Sequence, residues 1–258
     1  MSELRIALFA DSDGLRVVLP IVRENLIAVV ISAPVSFPPE FPPNVIILEQ
    51  KKLSDIEYSE FLISFEALNI DVLICCSYAM KIPSSLTSCA RIDAVNLHGG
   101  LLPECRGANI LNWVLVNDHS KTGMTMHILS EGFDEGDIVF RDVVSIKDSD
   151  DAISLRNKLS PLASDQIRRA LIYWKRDLPV PRYKQNEKRA HYYKRRRPED
   201  GMFDWSFTDR QIFNLVRALV HPWPGARFVD ASGQMIVLDS YMTIEEIHAL
   251  RTAHAKPD

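Results

Sequence analysis

Val95-Asn96-Leu97-His98-Gly99-Gly100-Leu101-Leu102-Pro103-Glu104-Cys105-Arg106-Gly107 is the stretch on which the reading of this chain turns. It begins in an apolar run, Ala94 to Leu97, that reads as a buried strand. Asn96 and His98 are two apart, so on an extended strand both side chains project to one face. One is an amide donor, and the other is an acid or base near neutral pH. Gly99 and Gly100 let the backbone turn sharply or approach a ligand closely. In open α/β sheets ligands bind at the carboxyl ends of strands, which is where this pair falls. Taken alone, Asn-x-His reads more readily as a hydrogen-bonded core histidine before a turn.

Upstream, short apolar runs alternate with helical stretches, as in a parallel α/β sheet. Ile6 to Ala10 reads as a first strand, Asp11-Ser12-Asp13-Gly14 as a turn, Leu15 to Glu24 as a helix and Ile27 to Ile31 as a second strand. Pro34, Pro39, Pro42 and Pro43 mark a loop, because proline removes backbone donors. Ser54 to Leu68 reads as a helix with Ser54 as N-cap, and Val72 to Cys76 as a strand. Downstream, Asn109 to Asn117 reads as helical, with extended segments at Met124 to Leu129 and Ile138 to Val144. A long helix follows over Ser154 to Lys175, with Leu155, Leu159, Leu162, Ile167 and Leu171 at helical period.

After Arg176 the composition changes. A basic connector covers 179–198, and a small, mostly β subdomain is expected over 199–258, with a helix near Asp209–Val220. Its hairpin pairs Phe228-Val229 with Met235 to Leu238 around a turn at Ser232-Gly233. Residues 253–258 are expected to fray. The expected fold is α/β: a doubly wound, mostly parallel sheet over residues 1–178, followed by this appendage.

Bulk properties narrow the function classes. The 258 residues are 47% hydrophobic and 25% charged, with a formal net charge of −4. That balance gives no global basic field for nucleic acid. Cys75, Cys76, Cys89 and Cys105 form no CxxC pair, which points to reduced thiols, a cytoplasmic setting and no zinc site. Cys75 and Cys76 are adjacent on a strand, so one faces each side of the sheet. The N-terminus opens straight into a strand without the pattern of a signal peptide. No apolar run approaches the ~18 residues of a membrane-spanning helix.

A second stretch is Ser130-Glu131-Gly132-Phe133-Asp134-Glu135-Gly136-Asp137-Ile138-Val139. It places acids in a glycine-bounded loop between two strands, which alone reads as a solvated turn. The EF-hand spacing of a calcium loop is missing. The two stretches together, Asn-Leu-His-Gly-Gly-Leu-Leu-Pro-x-x-Arg-Gly and then Gly-Phe-Asp-x-Gly-Asp-Ile, resemble the folate-dependent formyltransferases. That superfamily includes enzymes acting on glycinamide ribonucleotide, on methionyl-tRNA and on nucleotide-linked amino sugars.

The resemblance implies a doubly wound N-terminal domain that binds N10-formyltetrahydrofolate, with no metal. It implies a catalytic set on Asn96, His98 and Asp134. It places Met80, Lys81 and Ile82 of the loop Ser77 to Pro83 in the folate pocket. Gly100, Leu101, Leu102 and Pro103 are placed there too, with Ser130, Glu131, Gly132 and Phe133 holding the pterin. Asp134 is expected to orient His98 and raise its pKa by favouring the imidazolium.

Leu111-Asn112-Trp113 and the run from Arg197-Pro198-Glu199-Asp200 to Pro222-Trp223-Pro224-Gly225-Ala226 resemble the sugar-nucleotide N-formyltransferases, including the enzyme acting on UDP-4-amino-4-deoxyarabinose. This likeness covers nearly the whole chain. It implies an amino sugar on a nucleoside diphosphate, a 4-amino-4,6-dideoxyhexose such as GDP-perosamine or a dTDP analogue, for surface polysaccharide or O-antigen synthesis. It also implies a homodimer through the C-terminal subdomain. Tyr78, Tyr192, Tyr193, Lys194 and Arg195 are the candidate substrate contacts. The basic stretch Lys184, Lys188, Arg189, Lys194 to Arg197 reads as a pyrophosphate clamp, an RNA-contacting strip or a solvated linker. Trp223 reads as structural, and Arg106-Gly107 as shaping the loop. Methionyl-tRNA or another small amine is the rival acceptor, and a non-catalytic folate- or nucleotide-binding protein is the rival class.

Overall fold

The computed structural model describes residues 3–32 and 40–254. Strand β1 (Ile6–Ala10), helix α1 (Ser12–Val22) and strands β2 (Leu26–Ile31) and β3 (Ile46–Glu49) open the chain. Then come α2 (Tyr58–Glu66), β4 (Val72–Cys76), the short α3 (Ser84–Thr87), β5 (Asp93–His98) and the two-residue β6 (Arg106–Gly107). They are followed by α4 (Ile110–Val116), β7 (Lys121–Ile128), β8 (Ile138–Ser145) and α5 (Ala152–Trp174). The remainder holds the two-residue β9 (Tyr192–Tyr193), α6 (Asp209–Ala218), β10 (Ala226–Val229), β11 (Met235–Leu238) and α7 (Ile244–His254).

Seven strands form one sheet in the order β3-β2-β1-β4-β5-β7-β8. β3 to β5 run parallel, and β7 and β8 are antiparallel additions. The chain runs outward in opposite directions from β1 and β4. That reversal opens a crevice at the strands' carboxyl ends. β1 and β4 are buried at every position, as central strands covered on both faces must be. Cys76 joins the core shared with α1 and α5, and Cys75 the core shared with α2, so the adjacent thiols do face opposite sides.

Local chemistry moves several boundaries. Asp11 to Gly14 is not a separate turn, because α1 begins at Ser12. Gly14 lies against the Cys76 carbonyl, where an added Cβ would overlap the oxygen. Ser54 is not a cap: Asp55 accepts the Lys52 N–H at 2.7 Å, making a tight turn, and α2 starts only at Tyr58. α5 starts before Ser154, because Asp151 and Ser154 form a reciprocal capping box. β3 lies between the proline loop and Ser54, where no element is expected from the sequence. It is an edge strand with Ile46 and Ile47 about half exposed, so it shows no apolar alternation. Pro42 and Pro43 lie in a loop, while Pro34 and Pro39 fall outside the described residues.

The C-terminal part carries the expected antiparallel hairpin, β10 with β11. It also carries α7, which was not foreseen, so helices take up more of it than strands. Its core is shared with the sheet domain: Ile110, Val114 and Leu115 of α4 and Leu155 of α5 pack with Phe203, Ile212, Val216 and Phe228. Burying each such side chain contributes roughly 1.5–3 kcal/mol. Asn112, itself buried, donates to the Ala218 carbonyl at 2.5 Å and pins α6 to α4. Residues 179–198 are not a loose linker. Arg182 pairs with buried Asp93 (2.7 Å), Tyr183 exchanges two backbone hydrogen bonds with Ile138, and β9 pairs with β6.

Candidate active site

A cleft of about 820 Å³ opens at the carboxyl ends of β4 and β5. Asn96, His98 and Asp134 all line it, and so does His127 of β7. Asn96 and His127 are direct cross-strand partners in the β5–β7 register. Asp134 reaches the same point from the loop after β7, with its backbone in the left-handed region (φ 58°). A non-glycine residue in that region stores strain, and such strain collects at functional sites.

Hydrogen bonds assign the tautomers. His98 Nε2 lies 2.6 Å from the Cys105 carbonyl, which only accepts, so Nε2 carries a hydrogen. His98 Nδ1 then faces Asp134 Oδ1 at 3.5 Å. His127 Nδ1 donates to the Ile128 carbonyl at 2.9 Å. Its Nε2 accepts from Asn96 Nδ2 at 3.0 Å and lies 3.3 Å from the same Asp134 oxygen. The other carboxylate oxygen accepts the Gly107 N–H at 2.8 Å. Gly107 has φ 104° and a Cβ there would strike the Tyr193 carbonyl, so only glycine brings this N–H to the carboxylate.

Two imidazole nitrogens thus converge on one carboxylate oxygen. Burial raises the Asp134 carboxyl, but His98, His127 and the Gly107 N–H outweigh it and hold it near about 2. Asp134 does push His98 upward, as expected, but the net shift is downward. Burial disfavours its charged form more than Asp134 favours it, and His127 adds to the lowering, so its pKa falls below its ordinary value. At neutral pH the pair is an ionised carboxylate beside a neutral imidazole. Such an imidazole is a base with an open Nδ1, next to an amide donor on Asn96.

One wall of the cleft is the loop after β4, where Met80, Lys81 and Ile82 line the cavity with Tyr78. Lys81 Nζ sits 5.2 Å from the ring centroid of Phe133, which lines the cleft with Ser130 and Gly132. Gln50 braces this wall, accepting from the Tyr78 hydroxyl (3.0 Å) and donating to the Lys81 carbonyl (2.9 Å). The other wall is Asn109 to Asn112 with Tyr192, Tyr193, Arg195 and Trp223. Arg195 has no side-chain partner among the described residues.

Not every candidate reaches the cavity. Gly100, Leu101, Leu102 and Pro103 lie behind it: Gly100 packs against Ile110 and His98, and Leu101 and Leu102 are buried. The strand end turns inward there, with the Leu102 N–H on Thr125 Oγ1 at 3.3 Å. Glu131 is exposed beyond the cavity. Lys194 points away and pairs with Asp200 at 2.9 Å. Trp223, read as structural, packs against the C-terminal core and also lines the cleft. Arg106 is fully buried and grips Glu187, Gln185 and Tyr192, which agrees with a loop-shaping part.

The formyl transferase family matches residues 29–171, and the formyl transferase C-terminal domain matches 195–251. The first match covers more than half of the chain. This chain belongs to the formyl transferase family. It shares its fold with several solved structures. A 4-N formyltransferase from Francisella tularensis is 17% identical, with 93% of this chain and 99% of that chain covered and a TM-score of 0.75. A sugar N-formyltransferase from a Shewanella species is 16% identical, with 94% and 98% covered and a TM-score of 0.70. HypX from Aquifex aeolicus, in complex with tetrahydrofolic acid, is 18% identical with a TM-score of 0.68. There 93% of this chain is covered but only 38% of HypX, so this chain spans about two fifths of that protein.

His127 and Gln50 were missed by sequence reasoning. His127 has a faint signal: it alternates with Met124 and Met126, which face the core, so it points to the other side with Thr125. Only the cross-strand register puts it beside Asn96. Among the described residues, no cluster of three metal-ligating side chains occurs and no helix is long and apolar enough to cross a membrane.

Proposed function

We propose that this formyltransferase moves a formyl group from N10-formyltetrahydrofolate to the amino group of a nucleotide-linked sugar, a 4-amino-4,6-dideoxyhexose on GDP or dTDP. The observation that carries the reaction is the convergence of Asn96, His127, His98 and Asp134 on one point of the cleft floor. The folate supplies an activated formyl group on N10. The acceptor amine attacks the formyl carbon, and the carbon–N10 bond then breaks. Asn96 Nδ2 has a second hydrogen beyond the one on His127, available to the formyl oxygen as negative charge builds there. His98 Nδ1 takes the proton from the attacking amine, and Asp134 stabilises the imidazolium that results. That proton then passes to the departing folate nitrogen.

The fit of each half of the cleft supports the assignment. Met80, Ile82, Leu129 and Phe133 offer apolar surface on the β4 side, as a pteridine ring requires. On the far side Tyr192, Tyr193 and Trp223 offer aromatic faces for a base or sugar, and Arg195 a cation for phosphate. A 4-N formyltransferase and a sugar N-formyltransferase of similar fold match along almost their whole length, which favours this acceptor. A tRNA acceptor is disfavoured because much of the basic stretch is engaged: Arg189 with Glu104, Lys194 with Asp200 and Arg196 over Trp113. Four unpaired thiols fit a reducing, cytoplasmic setting. The outer face of the hairpin exposes Val229, Met235 and Val237, an apolar surface suited to a second copy of the chain.

The test incubates the protein with formyltetrahydrofolate and a panel of amino-sugar nucleotides plus methionyl-tRNA, and reads formyl adducts by mass spectrometry. A formylated amino-sugar nucleotide is expected. Product on tRNA alone sinks the sugar assignment. His98→Ala and Asp134→Ala are expected to lower turnover by at least about a thousandfold while leaving folate affinity within a few-fold. Near-native turnover in either removes the roles assigned here.

A further inference from the structure

The segment between α5 and β9 crosses the outside of the Asp134 loop, and one residue of it turns inward. Between Arg182 and Arg189, Gln185 alone is half-buried, and its neighbours are exposed. Its Nε2 donates to the Asp134 carbonyl and to the Gly136 carbonyl, both at 2.7 Å. Its Oε1 accepts from Arg106 Nε at 3.1 Å and Arg106 Nη2 at 2.9 Å. An amide has two donor hydrogens and two acceptor sites, so this side chain is fully used. Arg106 is fixed in turn by Glu187, with contacts of 2.6 and 2.9 Å, and by the Tyr192 hydroxyl at 2.8 Å. The Tyr192 hydroxyl donates onward to Glu135 of the same loop at 2.5 Å.

We infer that Gln185 is a positioning residue: it holds the left-handed backbone of Asp134 so that the carboxylate stays on His98 and His127. The inference rests on the proposed reaction for its kinetic consequence, but not for its geometric one. Left-handed aspartates occur also at Asp118 and Asp177, so it is the hydrogen bonds around Asp134 that fix where its carboxylate points. Here the side chain is held by the Gly107 N–H and the main chain by Gln185. Arg106, which holds the Gln185 amide, is adjacent in the chain to Gly107, so one short segment and the crossing strap clamp the loop from both sides. Without the amide, two loop carbonyls lose their donor, and the peptide is free to turn. The carboxylate then swings with it.

Two variants separate positioning from bulk stability. Gln185→Glu keeps acceptors for Arg106 but cannot donate to the loop, while Gln185→Met is uncharged, similar in length and bonds to neither. Both are expected to lower kcat by about 10- to 100-fold, the usual scale of a small misplacement, with the KM for formyltetrahydrofolate within about threefold. Gln185→Glu is expected to keep the wild-type Tm. The His98 imidazole, titrated by NMR without substrates and assigned against His98→Gln, is expected to titrate at lower pH in Gln185→Met. Asp134, the group that raises it, has then moved, while His127 and the Cys105 carbonyl, the other groups facing the ring, remain. Native kcat in Gln185→Glu, an unmoved His98 titration, kcat losses that merely follow Tm, or failure of either variant to fold each overturns the inference. A wild-type protein that formylates no amine, with the His98 titration still shifted in Gln185→Met, would sink the reaction and leave the positioning intact.

Discussion

His98 has one nitrogen tied to the Cys105 carbonyl and one aimed at Asp134. Proton transfer is therefore confined to Nδ1, and pH acts on activity through that atom. The neutral ring is the reactive form in the proposed mechanism, so protonation on the acid side switches activity off. Burial sets the folded pKa below the ordinary 6.5, with Asp134 pulling up and His127 pushing down. The acid limb of kcat/KM is thus expected to have its midpoint below pH 6.5. In Asp134→Asn the upward pull is gone, and the midpoint of the residual activity is expected to move lower still. A midpoint above 6.5, or one that rises in Asp134→Asn, contradicts the assignment. The Asn-x-His pair could be read from sequence because a spacing of two is a property of any strand. The net direction of the His98 shift could not, since it depends on how completely the ring is desolvated.

At the scale of elements, the β5–β7 register decides the site. Asn96 opposite His127 and His98 opposite Thr125 follow from one antiparallel alignment, and a slip of one residue would turn every side chain to the other face. His127 accepts from the Asn96 amide and so fixes which end of that amide presents hydrogens. His127→Ala is expected to lower kcat about tenfold or more, on the scale of losing an orienting hydrogen bond. The ring is buried, so Tm is expected to fall by a few degrees as well, but the loss of kcat is expected in protein that is fully folded at the assay temperature. Steady-state kinetics beside a melting curve checks this; full activity with lowered Tm would make His127 structural. Central strands β1 and β4 were plain in the sequence because burial on both faces makes them continuously apolar. β3 was not, because an edge strand half open to solvent has no such signature. α7 was missed too: of its residues only Ile247 is buried, so no apolar stripe marks it.

Over the whole molecule, the C-terminal part completes the cleft instead of standing beside it. Its helices share a core with α4, and Trp223 is carried to the cleft wall next to Tyr193. A chain cut after residue 198 would uncover Ile110, Val114, Leu115 and Leu155, an apolar patch that needs a cover. Such a truncation is expected to be aggregation-prone, with a Tm at least several degrees lower by circular dichroism. A monodisperse fragment with the full-length Tm would show the two parts to be independent. The proposed division into 1–178, a strap and 199–258 therefore describes the course of the chain, while the packing joins its ends.

Sequence alone determined the sheet class, the strand bearing Asn96 and His98, the acidic loop bearing Asp134 and the family they resemble. These are carried by local patterns: apolar runs, a spacing of two and glycine-bounded turns. Tertiary structure alone decided that His127 faces Asn96, that Gln185 and Gly107 grip Asp134, and that Gly100 to Pro103 lie behind the cleft. Each of those depends on contacts between residues 27 to 51 positions apart or on the direction in which a strand end turns. No local pattern encodes such contacts, because they arise only when the sheet registers its strands and the strap crosses them.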